Sequence, residues 1–264
     1  MGLLGKNGTG KTTTINILTG FLKPTSGECY LLGEPSHRLS PKAKSKVGLL
    51  LEGHVGYPYL TVDSTSAYYR ALYPNWREDI YRDLVSRLRI APGQRIGTMS
   101  NGQRSQVALS VLLAQDPDLL ILDDFSLGLD PGYRRLFTDI MREFVSTSNK
   151  TVFMTSHIIQ DMERLIDDCI IMDYGRILVQ GPVRELMDKG RMYTLHADLP
   201  TLPGIPEILH PEWGEGKHSI HFCSLLPEGE VRSLLQQYLG GEIALTAESP
   251  TSLEELFIGL TGKY

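Results

Sequence analysis

Residues Gly5 to Thr13 read "GKNGTGKTT", and Gly5, Gly10, Lys11 and Thr12 in it fit the pattern G-x-x-x-x-G-K-[ST]. A short apolar run, "MGLL", stands before it. Behind it Ile15, Leu18 and Leu22 recur at helical spacing until Pro24 and Gly27. Strand, loop and helix in that order make a cradle for phosphate. The glycines let the backbone curl, so that successive N–H groups point inward at a polyphosphate. The helix that starts near Lys11 adds the positive end of its dipole. In such a cradle the Lys11 ammonium reaches the outer phosphates and the Thr12 hydroxyl can ligate Mg²⁺. A glycine-rich turn with a chance lysine would not need the flanking strand and helix. The loop alone does not separate an ATPase from a GTPase or a small-molecule kinase. No N-K-x-D guanine reader follows it, because "NKTV" at Asn149 lacks the aspartate.

The rest of the composition narrows the class. With 264 residues, 41% hydrophobic and 22% charged, the chain has the make-up of an ordinary globular protein with room for one core and a small appendage. A net charge of -5 argues against nucleic-acid binding by bulk electrostatics, so no nucleic-acid partner is expected. Cys29, Cys169 and Cys223 are widely spaced and form no C-x-x-C. That argues against a disulfide framework or a zinc site and points to the cytosol. No apolar run approaches bilayer length and no secretory pattern opens the chain, so work at a membrane would need another chain to cross it.

Strand and helix patterns alternate along the chain, which predicts an α/β core. "ECYLLG" and "KVGLLLEG" read as strands, and 62–88 reads as two helical pieces split by Pro74. "MSNGQRSQVALSVLLAQDP" is a loop running into an apolar helix. "DLLILDD" is a strand buried on both sides, as in a parallel sheet. "YRRLFTDIMREFV" is helical, "TVFMTSH" a strand, "IIQDMERLI" a helix and "DCIIMDYGRILVQG" a hairpin-like pair. Near Gly190 the character shifts to scattered Pro and Gly, short strand-like pieces and a last helix, "SLEELFIGLTG". That helix has Leu253, Leu256, Phe257 and Leu260 on one face, with Thr251/Glu254 or Ser252/Glu255 as its cap. The expected division is a core over 1–190, with helical material at about 54–112, and an accessory domain over 191–264.

Four further stations carry chemistry. The strand "LLILDD" would deliver Asp123 to the far side of a Mg²⁺ and set Asp124 facing an attacking water; without the phosphate loop they would read as two solvated acids. In "MSNGQ" a serine hydroxyl and a glycine N–H at a helix start form a second small anion site, although most such loops are simply caps. His157 ends "TSH" after a strand, where a lone histidine is usually structural. Glu52 closes "KVGLLLE", where a solvated strand end is the blander reading. His218 and His221 invite a metal reading, but at that spacing on a strand they point to opposite faces, so metal is set aside.

Together these five stations resemble the ATP-binding cassette, the nucleotide-binding subunit of ABC transporters, over nearly the whole chain. "GKNGTGKTT" resembles Walker A, "MSNGQ" the signature loop usually written LSGGQ, "LLILDD" Walker B, "GLDP" the D-loop, and His157 the switch histidine. "ALYPNW" and the closing helix look like bacterial cassettes of the ABC-2 export type. The resemblance implies a P-loop NTPase with a RecA-like α/β core, an inserted α-helical subdomain and a small C-terminal α+β accessory domain. It implies ATP and Mg²⁺ as ligands, two cassettes paired head to tail, a transmembrane permease partner, and a place on the cytoplasmic face of the cell membrane.

Residue by residue, Gly5, Lys6, Asn7, Gly8, Thr9, Gly10, Lys11, Thr12 and Thr13 would hold nucleotide. Ser100, Gly102 and Gln103 would close on the ATP of the opposite chain, and Asp130 would speak across the dimer. Thr12 and Asp123 would hold the metal, and Glu52 would count among the nucleotide-binding residues. Asp124, His157 and Lys11 would act in hydrolysis. Neither half-site alone has enough donors for the γ-phosphate, so ATP acts as glue, and its hydrolysis reopens the pair. The rival readings are a soluble cassette ATPase and a hydrolysis-impaired nucleotide-binding module.

The sequence departs from the family's pattern in four places. Asp124 stands where Glu is usual, one methylene short for a base that must sit roughly 2.6–3.2 Å from its proton, so slow hydrolysis is expected. Glu52 stands where Gln is usual, and an ionised carboxylate accepts but cannot donate. Asn101 interrupts the signature glycines between Ser100 and Gly102, with a small effect expected. Finally, a family cassette has a strand-rich layer with an adenine-stacking aromatic ahead of Walker A; here Met1 stands where that N-terminal β layer should be under way, so the expectation is either a start further upstream or a protein that works without the layer. Weak base discrimination and exposed apolar sheet surface are the expected results, since base stacking is worth about 1–3 kcal/mol.

Overall fold

The structure, a computed structural model, describes residues 1–51, 56–88, 90–124, 129–147, 150–156, 158–197, 204–214 and 218–262. It divides into two compact units, Met1–Leu3 with Gly10–Asp161, and Leu4–Thr9 with Met162–Tyr264. The boundary falls inside the first strand, β1 (Gly2–Gly5), and inside the phosphate loop.

The first unit continues with α1 (Lys11–Leu18), a small antiparallel pair β2 (Tyr30–Leu31) and β3 (Glu34–Pro35), α2 (Pro41–Lys44) and β4 (Val47–Leu50). Then come α3 (Val62–Leu72), α4 (Glu78–Arg87), α5 (Asn101–Ala114), β5 (Leu119–Leu122), α6 (Pro131–Thr147), β6 (Thr151–Thr155) and α7 (Ile159–Glu163). Strands β4, β5 and β6 run parallel in that order, and β1 joins β6 in parallel through Gly2↔Met154 and Leu3↔Thr155. The four apolar residues of β5 are all buried, as a parallel strand flanked on both edges requires. Ile15 of α1, Leu31 and Ile121 share one core cluster, so the apolar stripe of α1 fixes that helix on the sheet.

Helix α1 is shorter than the sequence pattern suggests. It ends at Leu18, and Phe21 and Leu22 lie exposed. Gly20 sets the stop. Its φ of +78° breaks the helix, and a Cβ there would come within 2.2 Å of the Ser36 carbonyl. Helices α3, α4 and α5 bury a cluster of their own that includes Val62, Tyr81, Val85, Val107 and Val111. The Tyr81 hydroxyl, in the middle of it, donates to the Val62 carbonyl at 2.8 Å.

The second unit holds β7 (Asp168–Asp173), β8 (Arg176–Pro182), α8 (Val183–Lys189), β9 (Arg191–His196), β10 (Leu209–Trp213) and β11 (Ser219–Ser224). It closes with α9 (Glu228–Leu239), β12 (Ala244–Glu248) and α10 (Leu253–Thr261). The end of β1 lies beside β7, and β7 pairs antiparallel with β8 across a turn whose Tyr174 and Gly175 have φ of +41° and +76°. Positive φ at both central residues suits a tight hairpin. Tyr174, Ile177 and Leu178 stand exposed on this hairpin. Strands β10, β11, β9 and β12 form a second, antiparallel sheet in that order, with Tyr193, Phe222 and Leu245 packed against Val231 and Leu235 of α9.

Helix α9 is absent from the sequence reading, yet Glu228 and Glu230 in its first turn and Gly240 after its last mark both ends. In α10 the expected apolar face is buried, and Ser252 is the cap, its hydroxyl accepting from the Glu255 N–H at 3.1 Å. No helix among the described residues is long and apolar enough to cross a membrane.

Candidate nucleotide-binding site

In the second unit the phosphate loop starts at the end of β1. Gly5 is tight: a Cβ there would fall 2.5 Å from Thr9 Oγ1 and 2.8 Å from the Met172 carbonyl, so only glycine fits. Thr9 is buried and folds back, its hydroxyl donating to the Lys6 carbonyl at 2.8 Å. Asn7 and Gly8 are exposed, and Gly8 has φ of +78° with open space around it. In the first unit Gly10, at φ +105°, is the residue before α1, and no side chain caps that helix. The start of a helix is where backbone N–H groups and the positive end of the dipole suit an anion. Thr12 and Thr13 are exposed at its start.

Lys11 is the opposite case. It is buried, with 7% of its surface exposed. Burial pushes its ammonium below the ordinary lysine value, and the charges of Asp124 and then Asp123 oppose that shift. Both aspartates are themselves buried, at the end of β5. Thr155 holds the pair: its hydroxyl donates to Asp123 Oδ1 at 2.7 Å and accepts from the Asp124 N–H at 3.0 Å. The Asp123 N–H donates to the Leu50 carbonyl at 2.8 Å, which ties it to β4. Sequence reasoning missed Thr155. The signal was a hydroxyl at the end of "TVFMT", a strand otherwise built for the core.

The donor set suits a hard cation. Asp123 and Thr12 offer oxygen ligands, and among the described residues no hydrogen bond engages Asp123 Oδ2. No group of three or more His, Cys, Asp or Glu among the described residues gathers as an all-protein metal cage. Mg²⁺ normally needs none, because it keeps waters and phosphate oxygens.

The "MSNGQ" loop opens α5 with a reciprocal cap. Ser100 Oγ accepts from the Gln103 N–H at 3.2 Å, and Gln103 Oε1 accepts from the Ser100 N–H at 3.1 Å. Ser100 and Asn101 are exposed, while Gly102 is buried against the Tyr133 ring, 2.4 Å from where a Cβ would stand. Asp130 in turn caps α6, its Oδ1 accepting from the Tyr133 N–H at 3.0 Å, and Gln106 Nε2 donates to the Tyr133 carbonyl at 3.2 Å. The structure therefore brings Gly102 and Asp130 together through Tyr133, a residue the sequence reading passed over. It also brings Lys11 together with Asp123 and Asp124. Glu52, His157 and Gly128 of "GLDP" lie outside the described residues.

Comparison with known proteins gives these observations a context. Residues 1–126 match the family model described as "ABC transporter", and 93–160 match an AAA domain model. The chain is 30% identical over 271 residues to the Nod factor export ATP-binding protein I of Cupriavidus pinatubonensis, covering 99% of this chain and 82% of that one. It is 29% identical over 202 residues to the ABC transporter ATP-binding protein NatA of Bacillus subtilis, covering 74% and 82%. A solved structure titled "Structure of ATP binding subunit of ABC transporter" superposes with a TM-score of 0.62 at 24% identity, over 71% of this chain and 80% of that one. The last likeness bears on fold alone, a mixed α/β fold with a parallel sheet.

Proposed function

The chain belongs to the ABC transporter family of ATP-binding proteins, and from that premise we propose that it binds and hydrolyses ATP to drive a membrane permease, in the direction of export. One observation carries the proposal. A buried lysine starts an uncapped helix directly behind a left-handed glycine, with two buried aspartates in its electrostatic reach. A triphosphate can accept from N–H groups at the start of α1 and bring anionic charge to an ammonium that burial disfavours. The relatives' names, Nod factor export and ABC transporter ATP-binding proteins, support the transport reading.

In this reading the loop backbone from Gly5 to Thr13 wraps the phosphates and Lys11 holds the outer ones. Thr12 and Asp123 hold Mg²⁺, which supplies charge neutralisation at the phosphate oxygens. Asp124 is the base: its backbone is pinned by Thr155, and its carboxylate takes the water proton. Ser100 and Gly102, exposed hydroxyl and helix-start N–H, close on the γ-phosphate held by a second cassette, with Gln103 and Asp130 shaping that edge. His157 and Glu52 complete the set by analogy with the family. The proposed division is a nucleotide-binding domain over 1–190 and an accessory domain over 191–264, with the chain peripheral on the cytoplasmic membrane face. Tyr57, Tyr59 and Tyr68, clustered and exposed on the first unit, offer the kind of aromatic surface a protein partner buries.

The test is direct. Wild type should hydrolyse ATP with Mg²⁺, and Lys11→Ala should abolish tight nucleotide binding. The Asp124→Asn variant should be trapped by ATP as a dimer in light scattering. Monomer at saturating ATP in that variant would refute the paired-site mechanism. The second reading, a hydrolysis-impaired module, is favoured by Asp124 itself, and the wild-type turnover rate decides it.

A further inference from the structure

The first half of the phosphate loop has its anchors inside the second unit. At the β7–β8 turn the Gly175 N–H donates to the Thr9 carbonyl at 3.2 Å. The Met172 carbonyl presses on Gly5. The third anchor is far away in sequence: Lys6 Nζ donates to the Thr261 carbonyl at 2.7 Å, at the C-terminal end of α10. By position Lys6 reads as a phosphate contact, yet its ammonium donates to a carbonyl in the last turn of a helix.

That helix end is a natural place for a cation. The last carbonyls of a helix lack intrahelical partners and carry the negative end of its dipole. A second donor is there too, because His210 of β10 donates from Nε2 to the Leu260 carbonyl at 3.1 Å. Gly262, at φ +76°, ends the helix, and its N–H donates to the Ile258 carbonyl at 2.7 Å. The end of α10 is thus gripped from one side by the phosphate loop and from the other by the accessory sheet.

We propose that Lys6 is a positioning residue. Through the Thr261 carbonyl it sets the conformation of the phosphate loop before ATP arrives, and it makes the end of α10 respond to nucleotide. This rests on the reading of the loop as an ATP site. A loop whose N–H groups are already aimed at phosphate binds more tightly than one ordered by the ligand, and the Lys6–Thr261 bond supplies part of that order. A charge-assisted hydrogen bond is strong enough to matter.

The experiment measures binding of a fluorescent ATP analogue to the full chain and to four variants. Lys6→Met keeps the stem and removes the donor, and Lys6→Arg restores a donor. Gly262→Ala disturbs the helix end without touching the loop, since it strains a positive φ and brings a Cβ to 2.6 Å from His210 Nδ1. The fourth variant combines Lys6→Met with Gly262→Ala. Lys6→Met and Gly262→Ala should each weaken binding about fivefold to tenfold, the double variant should be no worse than Lys6→Met, and Lys6→Arg should recover most of the loss. In hydrogen exchange, nucleotide should slow the Gly262 amide in wild type and not in Lys6→Met.

A folded Gly262→Ala that binds like wild type, or losses that simply add, would show that Lys6 does not act through α10. If Gly262→Ala does not fold, exchange decides: nucleotide-dependent protection of Gly262 that survives in Lys6→Met overturns the proposal. A wild type that binds no ATP analogue brings down the ATP reading first, and this inference with it, before any substitution is made.

Discussion

Asp124 combines two constraints on one side chain. It stands where the resemblance to the cassette family leads one to expect Glu, and its backbone φ is +50°, a region where Asp is tolerated better than longer side chains. The substitution Asp124→Glu therefore has two opposed effects. It should raise the single-turnover hydrolysis rate by extending the carboxylate, and it should lower stability by about 1 kcal/mol through the strained backbone. Rapid-quench kinetics and a denaturant titration read the two separately; no rise in rate would remove Asp124 from the role of base. Gly102 gives a second residue-scale prediction. A Cβ there meets the Tyr133 ring at 2.4 Å, so Gly102→Ala should cost about 1–3 kcal/mol unless the ring swings away. Thermal unfolding checks it.

Helix caps dominate at the scale of elements. Ser100 caps α5 and Asp130 caps α6, so each has a structural task that would suffice to explain it. The two roles of Ser100 can be pulled apart. Ser100→Asn keeps a good cap, and Ser100→Ala loses one at about 1 kcal/mol. If Ser100 also closes on phosphate, both variants should lose ATP-driven dimerisation, while only the alanine loses stability. Retained dimerisation in Ser100→Asn would leave the serine as a cap and nothing more. The elements themselves were unevenly legible. The α5 and β5 patterns, "MSNGQ" into an apolar helix and "LLIL" between acids, were plain because period and punctuation agreed. The end of α1 was misplaced because Leu22 kept the helical period while Gly20 broke the backbone. Helix α9 was hidden by a tail rich in Pro and Gly, although its own acidic start and glycine stop were present.

At the scale of the whole molecule, burial sorts the cysteines. Cys169 and Cys223 are each 1% exposed, and desolvation pushes both thiols up from an ordinary 9.0 to about 11. A group whose value is raised on folding stabilises the folded chain fully below its unfolded value and loses that contribution as pH climbs through the folded one. Stability from these thiols should thus be intact below pH 9.0 and fade toward pH 11, visible as a falling denaturant midpoint. In the folded protein at about pH 8, iodoacetamide should modify Cys29 and spare the other two until denaturant is added. Mass spectrometry of the peptides would show early labelling at Cys169 or Cys223 if that packing is wrong.

Alone, the sequence determined the phosphate loop, the order of the stations and the α/β alternation. Those depend on residue types at short fixed spacings, which local backbone chemistry enforces. Tertiary structure decided which groups serve one another. Thr155 binds Asp123 and Asp124, Tyr133 links Gly102 to Asp130, and Lys6 turns to Thr261 at the other end of the chain. Such contacts join residues that no spacing relates, because they form only when strands align in register and helix ends with unpaired carbonyls come within reach of a donor.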